Sequence, residues 1–154
     1  MNNTTKEFAT GGMDHTLRIY DIETMTCQQA FGKSDNEHMG HSNRIYSIRW
    51  DPNNDNLVYS GGWDNIVSLY DTRARHAVNH ISGPYISGDT IDVRGDMVLT
   101  GSYRVEDCLE IWDVRKEERL HSIPWATEHD ATDSGYIMAC AFDEFGHSVI
   151  AASS

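Results

Sequence analysis

Short apolar runs of about strand length alternate along this chain with clusters of Gly, Asn, Asp and Pro. No window shows a sustained 3.6-residue hydrophobic period, so the pattern predicts strands and essentially no helix. The stretch "LVYSGGWDNIVSLYD" (57–71) shows the unit best, with two apolar runs separated by a Gly-Gly step and a Trp-Asp-Asn turn. This arrangement predicts two antiparallel strands joined by a tight turn.

The same hairpin recurs along the chain. "FATGGMDHTLRIYD" (8–21) and "VLTGSYRVEDCLEIWDV" (98–114) repeat the apolar run, the Thr-Gly step and the closing aspartate. The closing residues Asp21, Asp71 and Asp113 follow a period of roughly 40 to 50 residues, which suits a unit of four short strands.

Further strand candidates flank each hairpin. Before the hairpins lie "RIYSIRWD" (44–51), the degenerate "DTIDVRGD" (89–96) and "YIMACAFD" (136–143). After the hairpins lie the weaker runs "TCQQAF", "HAVNHI" and "ERLHSI". Each complete unit is therefore predicted to have four strands, which we letter a to d from the inner strand outward.

This set of residues resembles the WD40 repeat family. The matching features are the Gly40-His41 pair, the Gly-Gly or Gly-Ser steps, the turn aspartates Asp14 and Asp64, and the closing dipeptides Tyr20-Asp21, Tyr70-Asp71 and Trp112-Asp113. The resemblance covers nearly the whole chain. It implies an all-β fold made of β-propeller blades, each with four antiparallel strands.

The alignment predicts a single, partial propeller domain over residues 1–154. Residues 6–31 would supply strands b to d of the first blade, 44–82 the second blade, 88–124 the third, and 136–154 strands a and b of the fourth. The thirteen strands that this alignment predicts would make about 3.25 blades, whereas closed propellers use about four to eight. Three explanations stay open: a fragment of a longer propeller, a short protein completed by another chain, or self-association into a ring.

The resemblance also implies a buried hydrogen-bond chain in the second blade, formed by His41, Ser60 and Asp64, with Tyr70 where the family most often has Trp. His, Ser and Asp are also the residue types of a hydrolytic triad, but we prefer the structural role and predict no catalytic residue. The other blades carry only parts of the pattern, namely Thr10 and Asp14 in the first and Thr100 and Trp112 in the third. The second blade is therefore expected to be the most rigid.

In this family, loops at one end of the blades grip peptides and other proteins. By alignment, the side chains at that end are Met13, Arg44, Tyr46, Trp63, Tyr103, Tyr136 and Met138. Aromatic residues and Arg dominate the energy of many protein interfaces, so this set is the candidate partner site. The alternative for Trp63 is that it packs against the neighbouring hairpin and only closes the ring.

Composition and charge limit the classes of molecule that this chain is expected to bind. The formal net charge of −12 argues against nucleic acid, which usually needs a basic surface, and is compatible with proteins or peptides, including basic ones. No apolar run is long enough to span a membrane. No metal or cofactor is predicted, because the pair His76 and His80 lacks nearby ligands and the Gly-Gly turns lack the Lys of a phosphate loop.

Three widely spaced cysteines with no CxxC pair favour a reducing compartment, either cytoplasmic or nuclear. The acidic loops 32–43 and 125–135 are expected to be solvated linkers that could recruit a basic segment. We therefore predict a non-catalytic scaffold for protein–protein interactions within a larger assembly. The alternatives are a reader of peptides or modifications, and the propeller part of a longer enzyme or transport protein.

Overall fold

A computed structural model of the protein describes residues 1–2, 4, 6–32, 40–74, 76–125 and 136–153, and these residues form thirteen strands and no helix. The strands are β1 (Glu7–Gly11), β2 (Leu17–Asp21), β3 (Cys27–Phe31), β4 (Ile45–Asp51), β5 (Asn54–Gly62), β6 (Ile66–Asp71), β7 (His76–Ser82), β8 (Ile91–Arg94), β9 (Met97–Gly101), β10 (Leu109–Asp113), β11 (Glu118–Ile123), β12 (Ile137–Phe142) and β13 (Val149–Ser153).

The strands form four antiparallel sheets in chain order. The first contains β1 to β3, the second β4 to β7, the third β8 to β11, and the last β12 and β13. Within each sheet, every strand pairs with the next one along the chain, which is the arrangement of a propeller blade. The prediction of an all-β fold built from such blades is confirmed. Most residues of the two predicted acidic loops lie outside the described part of the chain.

Three apolar cores hold successive sheets together, one at each junction. Leu17 and Ile19 of the first sheet pack with Trp50 and Val58 of the second. The next junction contains residues such as Leu69 from the second sheet and Val98 and Trp112 from the third. The last contains Leu99, Leu109, Ile137 and Cys140. A strand in an inner sheet must therefore be apolar on both faces, which explains why β5, β6 and β9 read as nearly continuous apolar runs.

The Gly that follows each Thr or Ser in the hairpins is required by the contact between sheets. A Cβ atom at Gly11 would lie 2.6 Å from Cγ2 of Ile45, and one at Gly61 would lie 2.8 Å from Cδ1 of Ile91. A Cβ atom at Gly101 would likewise overlap Ile137. In all three cases the isoleucine belongs to the first strand of the next sheet. The repeated Gly therefore marks the point where one blade fits against the following one.

The b–c hairpin turns of the first three sheets repeat one backbone feature. His15, Asn65 and Asp107 have φ angles of 63°, 59° and 49°. This left-handed conformation is rare for residues with a side chain, although Asn, Asp and His adopt it most readily. In the second sheet, the turn places Trp63 beside the start of β4, where its amide donates to the carbonyl of Arg44.

Candidate functional site

The b–c turns and the starts of the inner strands meet at one end of the sheets. The amide of Trp63 donates to the carbonyl of Arg44 at 3.2 Å, and the amide of Tyr103 donates to the carbonyl of Tyr85 at 2.8 Å. Tyr85 lies in the loop that connects the second sheet to the third. These backbone bonds fix the turns relative to the loops, so the side chains at this end occupy defined positions.

Aromatic rings from the second sheet and its following loop lie side by side at this end. The ring centroids of Tyr46 and Trp63 are 5.0 Å apart, and those of Trp63 and Tyr85 are 6.1 Å apart with nearly parallel planes. Both distances lie in the range at which aromatic rings interact favourably. Trp63 therefore packs against its neighbours and also forms the middle of a partly exposed aromatic surface.

A second pair of rings continues this surface across the third and fourth sheets. Tyr103 and Tyr136 are stacked with centroids 3.8 Å apart, and the backbone bond between Tyr103 and Tyr85 joins the two groups. We call the five residues Tyr46, Trp63, Tyr85, Tyr103 and Tyr136 the aromatic arc. The arc crosses three sheets, although its rings come from distant parts of the sequence.

Arg44 lies at one end of the arc. Its guanidinium carbon is 5.0 Å from the centroid of the Trp63 ring, and Nη1 donates to Oη of Tyr46 at 3.3 Å. A guanidinium over an indole face is a favourable cation–π contact. Three of the predicted partner residues, Arg44, Tyr46 and Trp63, therefore form one group.

The two predicted methionines are not among the side chains whose contacts define this group. Met13 lies in the first b–c turn with 69% of its surface exposed, and Met138 lies on β12 with 41% exposed. Neither is part of the aromatic arc. Tyr85 belongs to the arc but was not predicted, because no repeat position corresponds to it. Its only sequence signal was an aromatic residue in the turn-rich stretch "SGPYISG" (82–88).

His41 lies between Asp64 and Ser60. Its Nδ1 atom is 2.8 Å from Oδ2 of Asp64, and its Nε2 atom is 2.7 Å from Oγ of Ser60. Because an ionised carboxylate can only accept, Nδ1 carries the proton, and Nε2 of a neutral ring accepts from the Ser60 hydroxyl. The amide of Ser42 donates to the same Asp64 oxygen at 3.0 Å. The side chains of His41 and Asp64 are almost fully shielded from solvent and Ser60 is buried, so this hydroxyl is not accessible to a substrate.

Burial raises the pKa of Asp64, but the hydrogen bonds from His41 and Ser42 outweigh it, and the pKa lies below its usual value. The ring of Tyr70 lies 6.4 Å from that of His41. Burial raises the pKa of Tyr70, with the nearby hydroxyls of Ser68 and Ser60 acting in the opposite direction. The Tyr70 hydroxyl makes no hydrogen bond of ordinary geometry to a described residue.

The corresponding positions in the first and third sheets have other contacts. Asp14 forms an ion pair with Arg18 at 2.6 Å and accepts from the amide of Thr16, while Thr10 is exposed. In the third sheet, Nε1 of Trp112 donates to Oγ1 of Thr100 at 3.1 Å inside the core. The structure thus brings together Thr100 and Trp112, but it does not bring together Thr10 and Asp14.

The third sheet has a buried carboxylate that sequence reasoning missed. Glu110 is 1% exposed and is bound by Arg104 at 2.5 Å and Arg119 at 2.8 Å. Burial raises the pKa of Glu110, although both guanidinium groups oppose that effect. Asp107 in the turn binds Arg119 and the hydroxyl of Ser122. The only signal was an acidic residue inside the apolar run "CLEIW" (108–112).

A second unpredicted carboxylate, Asp92, joins three inner strands. It lies on β8, accepts from the amide of Phe142 on β12 at 2.8 Å and forms an ion pair with Arg49 on β4 at 2.9 Å. Nearby, the carbonyl of Asp89 accepts from the amide of Cys140 at 3.3 Å. The strand with the degenerate sequence therefore contacts the sheets on both sides through the side chain of Asp92, and the backbone carbonyl of Asp89 adds a contact just before it.

The described residues contain no group of three or more His, Cys, Asp or Glu side chains arranged to hold a metal, and Nδ1 of His76 lies 2.7 Å from the carbonyl oxygen of Ala74. No helix of the described chain is long and apolar enough to cross a membrane. The three cysteines are free thiols, of which Cys27 is exposed while Cys108 and Cys140 are buried. Burial raises the pKa of Cys140 to about 12.

Comparison with known proteins agrees with this architecture. A profile described as "WD domain, G-beta repeat" matches residues 32–71. THO complex subunit 3 of Arabidopsis thaliana is 32% identical over 124 residues, which cover 78% of this chain and 37% of the relative. Sterol regulatory element-binding protein cleavage-activating protein of Xenopus laevis is 31% identical over 114 residues, covering 74% of this chain and 8% of the relative.

The ribosome biogenesis protein WDR12 homolog of Brugia malayi is 23% identical over 127 residues, which cover 70% of this chain and 29% of the relative. The chain therefore spans between 8% and 37% of the length of these three relatives. The matching profile and these relatives together show that this chain belongs to the WD40 repeat family, in agreement with the blade topology.

Proposed function

We propose that this protein is a non-catalytic scaffold that binds protein partners through the aromatic arc within a larger assembly. WD40 repeat proteins serve in general as platforms for protein–protein interaction, and one relative of this chain is named as a complex subunit. The observation that carries the proposal is the arc itself. Five partly exposed aromatic rings from three sheets lie at one end of the molecule, on a framework fixed by backbone hydrogen bonds.

The residue types of the arc support an interface. Trp, Tyr and Arg are enriched among the residues that dominate binding energy, and Tyr and Trp offer large rigid surfaces with a polar tip. Here the rings are held by mutual stacking, so little side-chain freedom remains to be lost when a partner docks. The arc therefore combines exposed apolar area with pre-organisation.

Charge and cysteine chemistry extend the proposal. The net charge of −12 attracts basic segments over distances of about a Debye length, so a partner with a basic region is favoured. The three free thiols suit a reducing compartment, which we propose to be the cytoplasm or nucleus.

A second copy of this chain, or another propeller chain, is also a proposed partner. Sedimentation velocity of the purified chain would detect self-association.

The test is affinity capture of the intact gene product with quantitative mass spectrometry, comparing the wild type with Trp63→Ala. Loss of the Trp63 ring should weaken binding of a partner that docks on the arc by roughly tenfold or more, as expected for a residue that contributes about 2 kcal/mol. Phe145→Ala is the matched control, because Phe145 is 69% exposed but lies in the turn after β12, at the opposite end of the sheets. Circular dichroism must show that all three proteins are folded.

The proposal is contradicted if the folded Trp63→Ala variant captures the same proteins in the same amounts as the wild type. Unfolding of this variant would instead indicate that Trp63 chiefly packs the blade. In that case Tyr103→Ala offers a second test, because Tyr103 is 42% exposed and stacks at the far end of the arc.

A further inference from the structure

Arg44 differs from the other described arginines in what its guanidinium contacts. Six of them form ion pairs with carboxylates, namely Arg18, Arg49, Arg73, Arg104, Arg115 and Arg119. Arg94 donates to the backbone carbonyls of Asp143 and Glu144. Across the described part of the chain, no carboxylate lies within ion-pair distance of Arg44, although the protein carries 24 acidic residues.

Two contacts nevertheless hold the Arg44 guanidinium in place. It lies over the ring of Trp63 and donates one hydrogen bond to the hydroxyl of Tyr46. A guanidinium has five N–H donors in a rigid fork that fits a carboxylate, and one such contact leaves donors for a ligand. Stacking on Trp63 reduces the rotamer freedom that binding would otherwise remove.

We propose that Arg44 anchors a single Asp or Glu side chain of an extended partner segment, whose neighbouring proline or aromatic residue packs on the aromatic arc. This inference rests on the proposed function and specifies the chemistry of its ligand. The partial exposure of Arg44 and its position at the end of the arc place the charged and apolar contacts side by side.

The overall charge restricts the segment further. A molecule with a net charge of −12 repels polyanions at long range, so a run of acidic residues or a nucleic acid would be disfavoured. One carboxylate can pair with Arg44, and neutral or basic residues on either side of it avoid repulsion by the net negative charge of the protein. Aromatic-lined grooves also accept extended proline-containing segments, because these have little conformational entropy to lose.

The experiment uses a phage-displayed random dodecapeptide library, selected in parallel on wild-type protein and on the variants Arg44→Gln and Arg18→Gln. Arg18→Gln is the matched control, because Arg18 is a partly exposed arginine on β2 that pairs with Asp14. The wild type and Arg18→Gln should enrich peptides with one Asp or Glu beside Pro, Trp, Tyr or Phe. Arg44→Gln should lose that acidic preference while it keeps the apolar one.

A selected peptide is then synthesised and titrated by calorimetry against each folded variant. Loss of a charge-assisted hydrogen bond should weaken binding to Arg44→Gln by roughly 10- to 100-fold, and replacing the peptide's acidic residue by its amide should cause a similar loss. The affinity of Arg44→Lys for the peptide should lie between those of the wild type and Arg44→Gln, because lysine keeps the positive charge but lacks the planar guanidinium group.

Enrichment on the wild type of peptides without an acidic residue would overturn the inference, and so would equal selection by Arg44→Gln or the absence of any enrichment over an unrelated bait. Failure here can be separated from failure of the proposed function. If Trp63→Ala abolishes partner capture but Arg44→Gln does not alter peptide choice, the aromatic arc binds a partner without a carboxylate anchor.

Discussion

Asp64 shows how one side chain determines local structure in this protein. Its carboxylate accepts from His41 and from the amide of Ser42, and so ties the b–c turn of the second sheet to the loop before β4. Since His41 also contacts Ser60 on β5, the three side chains connect a loop, a strand and a turn. Removing one member of such a buried group leaves its hydrogen-bond partners unpaired, which costs free energy.

The pKa of Asp64 leads to a prediction about acid stability. Its folded pKa lies below the unfolded value of 3.8, so the ionised form is favoured in the folded state. The resulting stabilisation is fully present above that unfolded value and is lost as the pH falls through the lower folded pKa. We therefore expect Asp64→Asn to be less stable than the wild type near pH 7, with a difference that shrinks in acid.

Urea denaturation between pH 2 and pH 7 would measure this effect. Breaking a buried charge-assisted hydrogen bond should cost about 1–3 kcal/mol at neutral pH. Asp96→Asn serves as the control, because Asp96 is half exposed and forms only a surface ion pair with Arg115. A difference between Asp64→Asn and wild type that does not change with pH would contradict the proposed role of the carboxylate.

At the residue scale, the sequence predicted side-chain contacts only where a repeat supplied the template. His41, Ser60 and Asp64 come together as their repeat positions imply, and Arg44, Tyr46 and Trp63 form one group. Tyr85, Glu110 and Asp92 could not be predicted in this way. Their roles depend on contacts with side chains or amides of other elements, which leave no periodic signal in a single sequence.

At the scale of elements, β8 has more importance than its sequence suggested. It has only four residues, yet Asp92 connects it to β4 and to β12. The inner strands of neighbouring propeller blades normally pack through apolar side chains. Here a buried carboxylate adds polar contacts at the same junctions, and it fixes the inner strands relative to each other.

Replacement of Asp92 should therefore loosen neighbouring sheets rather than β8 alone. We expect Asp92→Ala to increase hydrogen exchange at the amide of Phe142 by roughly tenfold or more, because that amide loses its acceptor and exchange reports local opening. Exchange mass spectrometry of peptides covering β4, β8 and β12 would detect the change.

Asp89→Ala is the matched control for this measurement. Asp89 is an exposed carboxylate just before β8, and its side chain makes only a long contact of 3.5 Å with Ser47. Faster exchange in Asp89→Ala than in Asp92→Ala would show that the inner strands are not joined through Asp92. The degenerate appearance of "DTIDVRGD" concealed this role, because acidic residues in a strand usually indicate solvent exposure.

At the scale of the whole molecule, each sheet depends on its neighbours. Successive sheets share three apolar cores, as in repeat proteins whose stability is approximately a sum of unit and interface terms. The order of the sheets could be predicted from the sequence, because the hairpin motif repeats in register. The exact fit between sheets could not, since it depends on which side chain of the next unit meets each Gly.

Gly61 provides a test of this coupling. A Cβ atom at this position would lie 2.8 Å from Cγ1 of Ile86 and from Cδ1 of Ile91, so Gly61→Ala should overpack the junction between the second and third sheets. We expect a loss of about 1–3 kcal/mol in the free energy of unfolding, and faster hydrogen exchange in both sheets.

Gly12→Ala is the control, because its Cβ atom would meet only Oδ1 of Asp14, at an ordinary distance of 3.5 Å. This change should leave stability unaltered or raise it slightly, since Ala restricts the unfolded chain. Equal effects of the two substitutions on thermal unfolding would show that the Gly–Ile contacts between sheets are not important for stability.

Because the three thiols are unequally buried, their rates of alkylation report conformational opening of the native chain. Cys27 is exposed, whereas Cys108 and Cys140 lie in the core between the third and fourth sheets, and only a thiolate in contact with reagent is alkylated rapidly. In a brief pulse of iodoacetamide, folded molecules would gain one adduct, on Cys27. Second and third adducts would form only on molecules in which the junction between the third and fourth sheets has opened. Intact mass spectrometry could therefore measure the rate of that opening without any introduced label.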